Sequence, residues 1–145
     1  MQAEDFITFA GKIAAQGTVG TAGYRSAISR AYYGAYHLLL EYLEGLGHHC
    51  NSDNIHVCVK RCLANCDVPE GANLGQRIGN LHENRKDADY DLQNPASETQ
   101  GLARACVLRA EEIRRLLAEC RVEPLRSKIA AGVDHYRRTV LRDLA

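Results

Sequence analysis

Four tyrosines, two arginines and a histidine crowd into residues 24–37, YRSAISRAYYGAYH, and residues 84–90, NRKDADY, add an arginine, two aspartates and a tyrosine. These residue types suit one kind of chemistry. An arginine fork holds a phosphate or carboxylate through paired hydrogen bonds, an imidazole moves protons near neutral pH, and tyrosine rings stack while their hydroxyls stay protonated near pH 7. Together they suggest a polar site between helices. Its candidate acting residues are Arg85, Asp89, Tyr90 and His37, with Arg30, Tyr33, Ser29 and Asn84 as substrate-binding partners.

The elements that must position these residues read as helices throughout, because no segment alternates at period two. A first helix over residues 4–16 carries Phe6, Phe9, Ile13 and Ala14 as its stripe, and glycines at 17, 20 and 23 punctuate a loop. A long second helix starts at Thr21 as N-cap and runs to Leu46, where Gly47 stops it. Its buried stripe is Tyr24, Ile28, Ala31, Ala35, Leu38 or Leu39, Tyr42 and Leu46; the opposite stripe is Ser26, Arg30, Tyr33, His37, Glu41 and Glu44. Ala27, Ala31, Gly34 and Ala35 are small enough to let a neighbouring helix come close. Ser52 or Asp53 caps a third helix to Cys66, residues 67–71 form a turn, and a fourth helix over residues 72–91 carries Leu74, Ile78 and Leu81 on one face. Ser97 with Gln100 forms a capping box for a fifth helix ending at Cys120. Beyond Pro124 a sixth repeats apolar residues at 122, 125, 129, 133, 136, 140 and 144, an eleven-residue period that keeps one straight stripe.

Ser29-Arg30-Ala31-Tyr32-Tyr33 with His37 four residues on, followed some fifty residues later by Arg85, Ala88, Asp89 and Tyr90, resembles the HEPN domain family, in particular its small stand-alone prokaryotic branch with SRAYYA-F-H and R-x-x-A-D-Y segments. The resemblance spans residues 4–120 and leaves the sixth helix outside it. It implies an up-and-down bundle that often dimerises, with the functional residues of both copies gathered at the interface. Many members are metal-independent ribonucleases using an arginine followed by a histidine; others are toxins paired with a small nucleotidyltransferase antitoxin, and some are inactive binding modules. The ribonuclease chemistry needs such a pair because the RNA 2′-OH loses a proton, the leaving 5′-oxygen gains one, and charge grows on the phosphate.

The chain departs from that pattern, since none of the six residues after Arg85 is a histidine. Arginine and histidine do recur at the family spacing in Arg77 with His82 and Arg30 with His37, but two such matches are about what 14 arginines and 6 histidines give by chance. Arg77 with His82 therefore reads as a decoy. Arg85 with Asp89 alone would make an i, i+4 helix ion pair worth only a few tenths of a kcal/mol. Cys58, Cys62 and Cys66 recur every four residues, with His48, His49, Cys50 and His56 upstream. Without a C-x-x-C knuckle they read as buried small hydrophobes, and no metal or cofactor is assigned.

Lysine plus arginine number 18 and the acids 18, so overall charge gives no polyanion-binding signature. Residues 121–145 carry six bases against three acids, which leaves the tail at +3 and the body at −3. No apolar run approaches the ~20 residues that span a bilayer, and the acidic start lacks a secretory pattern. A cytoplasmic location and cysteines held as thiols follow as expectations. No Gly-rich phosphate loop, H-E-x-x-H or G-x-S-x-G is present. The reading is therefore an all-α, up-and-down helical bundle of about five helices over residues 1–120, with an extra C-terminal helix over residues 121–145 packing on the domain or on a dimer partner. Its expected role is an RNA- or nucleotide-interacting protein, the toxin or ribonuclease component of a prokaryotic toxin–antitoxin or defence system. The alternative is an inert helical dimerisation module that binds a nucleotidyltransferase partner.

Overall fold

The computed structural model describes residues 1–51 and 54–140. Among them are six α-helices and no strand: α1 Ala3–Ala15, α2 Gly20–Gly45, α3 Ile55–Ala64, α4 Pro69–Tyr90, α5 Gln100–Cys120 and α6 Leu125–Thr139, with a 3₁₀ turn, Pro95–Glu98, before α5. The all-α bundle with an added C-terminal helix is as the periodicity requires. One continuous apolar core joins residues of all six helices. The expected caps at Ser52 or Asp53, and the stripe position at Leu144, lie outside the described residues.

α2 is the central element, packing on α1, α4 and α5. Its predicted inner stripe is buried from Tyr24 to Tyr42, with both Leu38 and Leu39 inside, and Leu46 is half-buried. The opposite stripe is the more exposed one, and three of its members, Arg30, Tyr33 and His37, are half-buried against other helices. Gly47 ends the helix as expected: its φ is +91°, and the amides of Gly47 and His48 donate to the carbonyls of Glu44 and Leu43 at 2.9 Å each. That is a Schellman closure, which satisfies carbonyls the helix end would otherwise strand.

Several local expectations are corrected. The buried stripe of α1 is Ala3, Ile7, Ala10 and Ala14, whereas Phe9 is 54% exposed and Phe6 and Ile13 are half-buried. The cause is close approach: a Cβ on Gly34 of α2 would sit 2.5 Å from Ile7 and 3.1 Å from its backbone nitrogen, so alanines rather than phenylalanines face α2. α2 begins at Gly20, so Thr21 lies inside the first turn and no side chain caps it. α3 ends two residues before Cys66. α4 begins at Pro69, inside the expected turn, because proline at the first helical position loses no hydrogen bond. Ser97 is buried in the 3₁₀ turn and does not cap α5; Thr99 does, its hydroxyl accepting from the Leu102 amide at 3.2 Å. Gln100, freed from the capping box, donates to the Ala14 carbonyl and ties α5 to the end of α1.

Two polar ties lock the frame. Arg25, buried on α2, donates to the carbonyls of Asp87, Ala88, Asp91 and Asn94 and to the Glu98 carboxylate. A cation thus sits on the carbonyl end of α4, where the helix dipole favours it. Tyr42 donates to the Cys120 carbonyl at 2.8 Å, and burial pushes its hydroxyl up to about 12.

α6 packs on α3 and α5 of its own chain, burying Ile129 and Val133. The ends of its apolar stripe are open, Val122 at 64% and Val140 at 57%. The thiol expectation is corrected in one place: Cys50 and Cys58 form a disulfide, and Cys62, Cys66, Cys106 and Cys120 are free and buried. No described helix is long and apolar enough to cross a membrane.

Candidate functional site

Arg85 owes its position to the packing stripe of α4. Leu74, Ile78, Leu81, Arg85 and Ala88 follow one another at spacings of four, three, four and three, and all are buried. A guanidinium therefore occupies a core position, which is tolerable only if its donors and its charge are met. Tyr33 of α2 accepts a hydrogen bond from Nη2. Asp89, one turn on, lies 3.2 Å from Nε, although the alignment is too poor for a hydrogen bond. Ser29 donates to the same Asp89 oxygen at 3.1 Å and holds that carboxylate toward α2. The guanidinium carbon also lies 5.6, 5.0 and 5.5 Å from the ring centres of Tyr32, Tyr33 and Tyr90. Burial alone would lower the Arg85 pKa; the Tyr33 hydrogen bond and the charges of Tyr33, Tyr90 and Asp89 reverse this and raise it. The group is a fixed cation.

Around it stands a stack of aromatic and imidazole rings from three helices. Tyr32 and His82 stack at 5.0 Å, His82 and His56 at 5.4 Å, and His56 and Tyr36 at 4.3 Å. His56, brought by α3, meets the Tyr32 hydroxyl with Nδ1 at 2.6 Å. Burial raises the Tyr32 pKa, so the phenol keeps its proton; burial, then Arg85 and His37, lower that of His56, so its ring is neutral. Two neutral groups share this bond, and the His56 tautomer sets which of them donates. Burial, His56 and Arg85 bring the His82 pKa down to about 4, so it too is neutral at pH 7.

The remaining expected residues fall at or away from this cluster. Arg30 lies over the rings of Phe6 and Tyr33, at 5.5 and 5.3 Å, so Tyr33 is flanked by two guanidiniums. His37 stacks on Phe6 at 5.9 Å and touches the rings of Tyr33 and Tyr36. Tyr90 is 74% exposed and forms the outer edge. Asn84 is not brought in; its side chain accepts from Arg109 of α5 at 2.9 Å.

Sequence reasoning missed His56 and His82. The Arg77–His82 spacing matches the family pattern no more often than chance gives, while the partner that matters to His82 is Arg85, three residues later on the same helical face. His56 has no such local signal, because only the packing of α3 on α4 delivers it. The arrangement offers a buried cation, two neutral imidazoles and stacking faces, groups that can hold an anion such as a phosphate and exchange a proton.

Searches of family models, of curated proteins and of solved structures find no match to this chain.

Proposed function

We propose that this chain is a HEPN-type bundle that binds the phosphate backbone of RNA, or a nucleotide phosphate, at the Arg85 cluster, and that it acts as a slow, metal-independent endoribonuclease in a prokaryotic toxin–antitoxin or defence system. The observation that carries the reading is the grouping of Arg85 with His56 and His82, which supplies in space the imidazole that is missing after Arg85 in sequence. The SRAYYGAYH and RKDADY segments support the family. Arg85 would hold the charge growing on the phosphate, His56 in its Nε2–H tautomer, with Nδ1 accepting from Tyr32, would hydrogen-bond a phosphate oxygen, and His82 would accept the 2′-OH proton. Tyr90, Tyr33 and Arg30 would stack against bases or sugars. A base with a pKa of about 4 is always ready at pH 7 but weak, hence the slow rate. Homodimerisation and a cytoplasmic setting belong to the same proposal; exposed Tyr90 and Leu92 beside the cluster support a second copy there.

One observation favours the alternative, an inert dimerisation module that binds a nucleotidyltransferase partner: Arg85 already has Tyr33 and Asp89 as partners within its own chain. Binding distinguishes the two. Fluorescence anisotropy with a single-stranded RNA oligonucleotide carrying 2′-O-methyl groups is expected to show saturable binding by the wild type, weakened at least tenfold in Arg85→Ala, with affinity falling as salt rises. Equal, negligible binding by both proteins would leave the inert module.

A further inference from the structure

The cysteine expected in a helical row with Cys58 and Cys62 is Cys66, yet the structure groups a different trio. The sulfurs of Cys50, Cys58 and Cys62 all lie within 4.8 Å of one another. Cys66 turns away, its thiol directed at the Val68 carbonyl at 3.6 Å. Cys50 comes from the segment before α3, while Cys58 and Cys62 sit one turn apart on α3 with their sulfurs separated by 3.9 Å. In a tetrahedral thiolate complex with bonds of ~2.3 Å, neighbouring sulfurs stand ~3.8 Å apart. The helical pair already has that spacing, and Cys50 needs only to back away from Cys58 once their bond is reduced.

The surroundings match the charge of such a complex. Three thiolates around a divalent ion carry a net charge of −1, costly to bury without a counter-charge. Arg137 of α6 reaches this end of the molecule, donating through Nη2 to the His49 carbonyl at 2.7 Å. Its second nitrogen, Nη1, is buried and has no acceptor among the described residues. A buried guanidinium nitrogen without a partner is an expensive feature, and a metal-bound thiolate is an acceptor that would remove the cost.

We propose that the reduced protein binds one thiophilic d¹⁰ cation, Zn²⁺ or Cu⁺, through Cys50, Cys58 and Cys62, and that the Cys50–Cys58 disulfide is the oxidised, metal-free form of the same site. With zinc, three thiolates leave a fourth position for water; with copper(I), three soft ligands suffice. A peroxide connects the forms: the Cys50 and Cys58 thiolates give up two electrons and form their S–S bond, the peroxide O–O bond breaks, two protons from solvent complete two waters, and the ion leaves. His56 lies two residues before Cys58, so the site would fix the end of α3 that delivers His56 to Tyr32.

The test uses the full chain reduced with a phosphine, then gel-filtered after addition of Zn²⁺ alone or Cu⁺ alone. One equivalent of either metal should be retained by the wild type and by Cys106→Ser, whose cysteine lies in α5 away from the trio. Cys62→Ser should retain less than a tenth as much under competition by a chromogenic chelator. Cys50→Ser is the second variant, since position 50 lies outside the helices and its fold is checked by circular dichroism. Hydrogen peroxide should release the metal and lower the mass of the wild type by the two hydrogens of a disulfide mapped to Cys50 and Cys58. No retention of either metal by the reduced wild type overturns the proposal, as does retention by Cys62→Ser and Cys50→Ser equal to that of the wild type.

Discussion

A guanidinium in a leucine position is the residue on which the account turns. Arg85 is 8% exposed, and its charge is held by Tyr33, Asp89 and three aromatic rings. Its neighbours His56 and His82 are kept neutral by burial and by that same cation. Both histidines have folded-state pKa values below the ordinary 6.5, so the unfolded chain binds more protons than the native one once the pH drops below that value. Stability from His82 is therefore complete above about pH 7 and lost between 6.5 and about 4. Allowing for its partial exposure, the loss is roughly 1–2 kcal/mol. Urea midpoints measured from pH 7.5 to 4.5 should fall for the wild type and fall less steeply for His82→Gln; parallel slopes would contradict the assignment.

At the scale of the helix, α4 shows what the sequence could and could not disclose. The stripe through Leu74, Ile78 and Leu81 was legible by spacing, and continuing it by four and three residues puts Arg85 and Ala88 in the core. The arginine was legible as a candidate; its burial follows from the same count. What the spacing could not disclose is how α4 ends, because Arg25, 63 residues before Ala88, pins that end through carbonyls and Glu98. Arg25→Ala should cost about 3 kcal/mol or more by stranding these acceptors, and Arg25→Lys should recover only part, since a point charge cannot span the fork. Chemical denaturation would read both. On α1 the aromatic stripe misled, because helix-to-helix distance at Gly34, not residue size, chose the buried face. Gly34→Ala gains about 1 kcal/mol of helix propensity and loses roughly 1–3 to overpacking against Ile7, so a net fall in stability is expected. Gly101→Ala, with nothing within 4 Å of the new methyl, should hold or raise it. The melting temperature should fall for Gly34→Ala and not for Gly101→Ala, or the close-packing argument fails.

For the molecule as a whole, the bundle joins parts that the sequence presents separately. The family resemblance stops before α6, yet Ile129 and Val133 are fully buried on α3 and α5. Deleting residues 125–145 should therefore lower stability by roughly 3–6 kcal/mol, from about 1.5–3 for each of the two buried side chains; an unchanged urea midpoint would make α6 an appendage. The equal totals of acids and bases could not point to RNA, and the case for it rests on one cluster in which three helices gather a cation, two neutral imidazoles and stacked tyrosines. In the sequence His56 stands out only as a neighbour of the cysteine row, because its place in the Arg85 cluster depends on this assembly. The most direct test of that cluster is cleavage of a single-stranded RNA by the wild type in excess EDTA, beside Arg85→Ala and His82→Gln at matched folding. The account predicts slow, metal-independent cleavage by the wild type and a loss of about 10²-fold or more in each variant. Equal rates in all three proteins would contradict it.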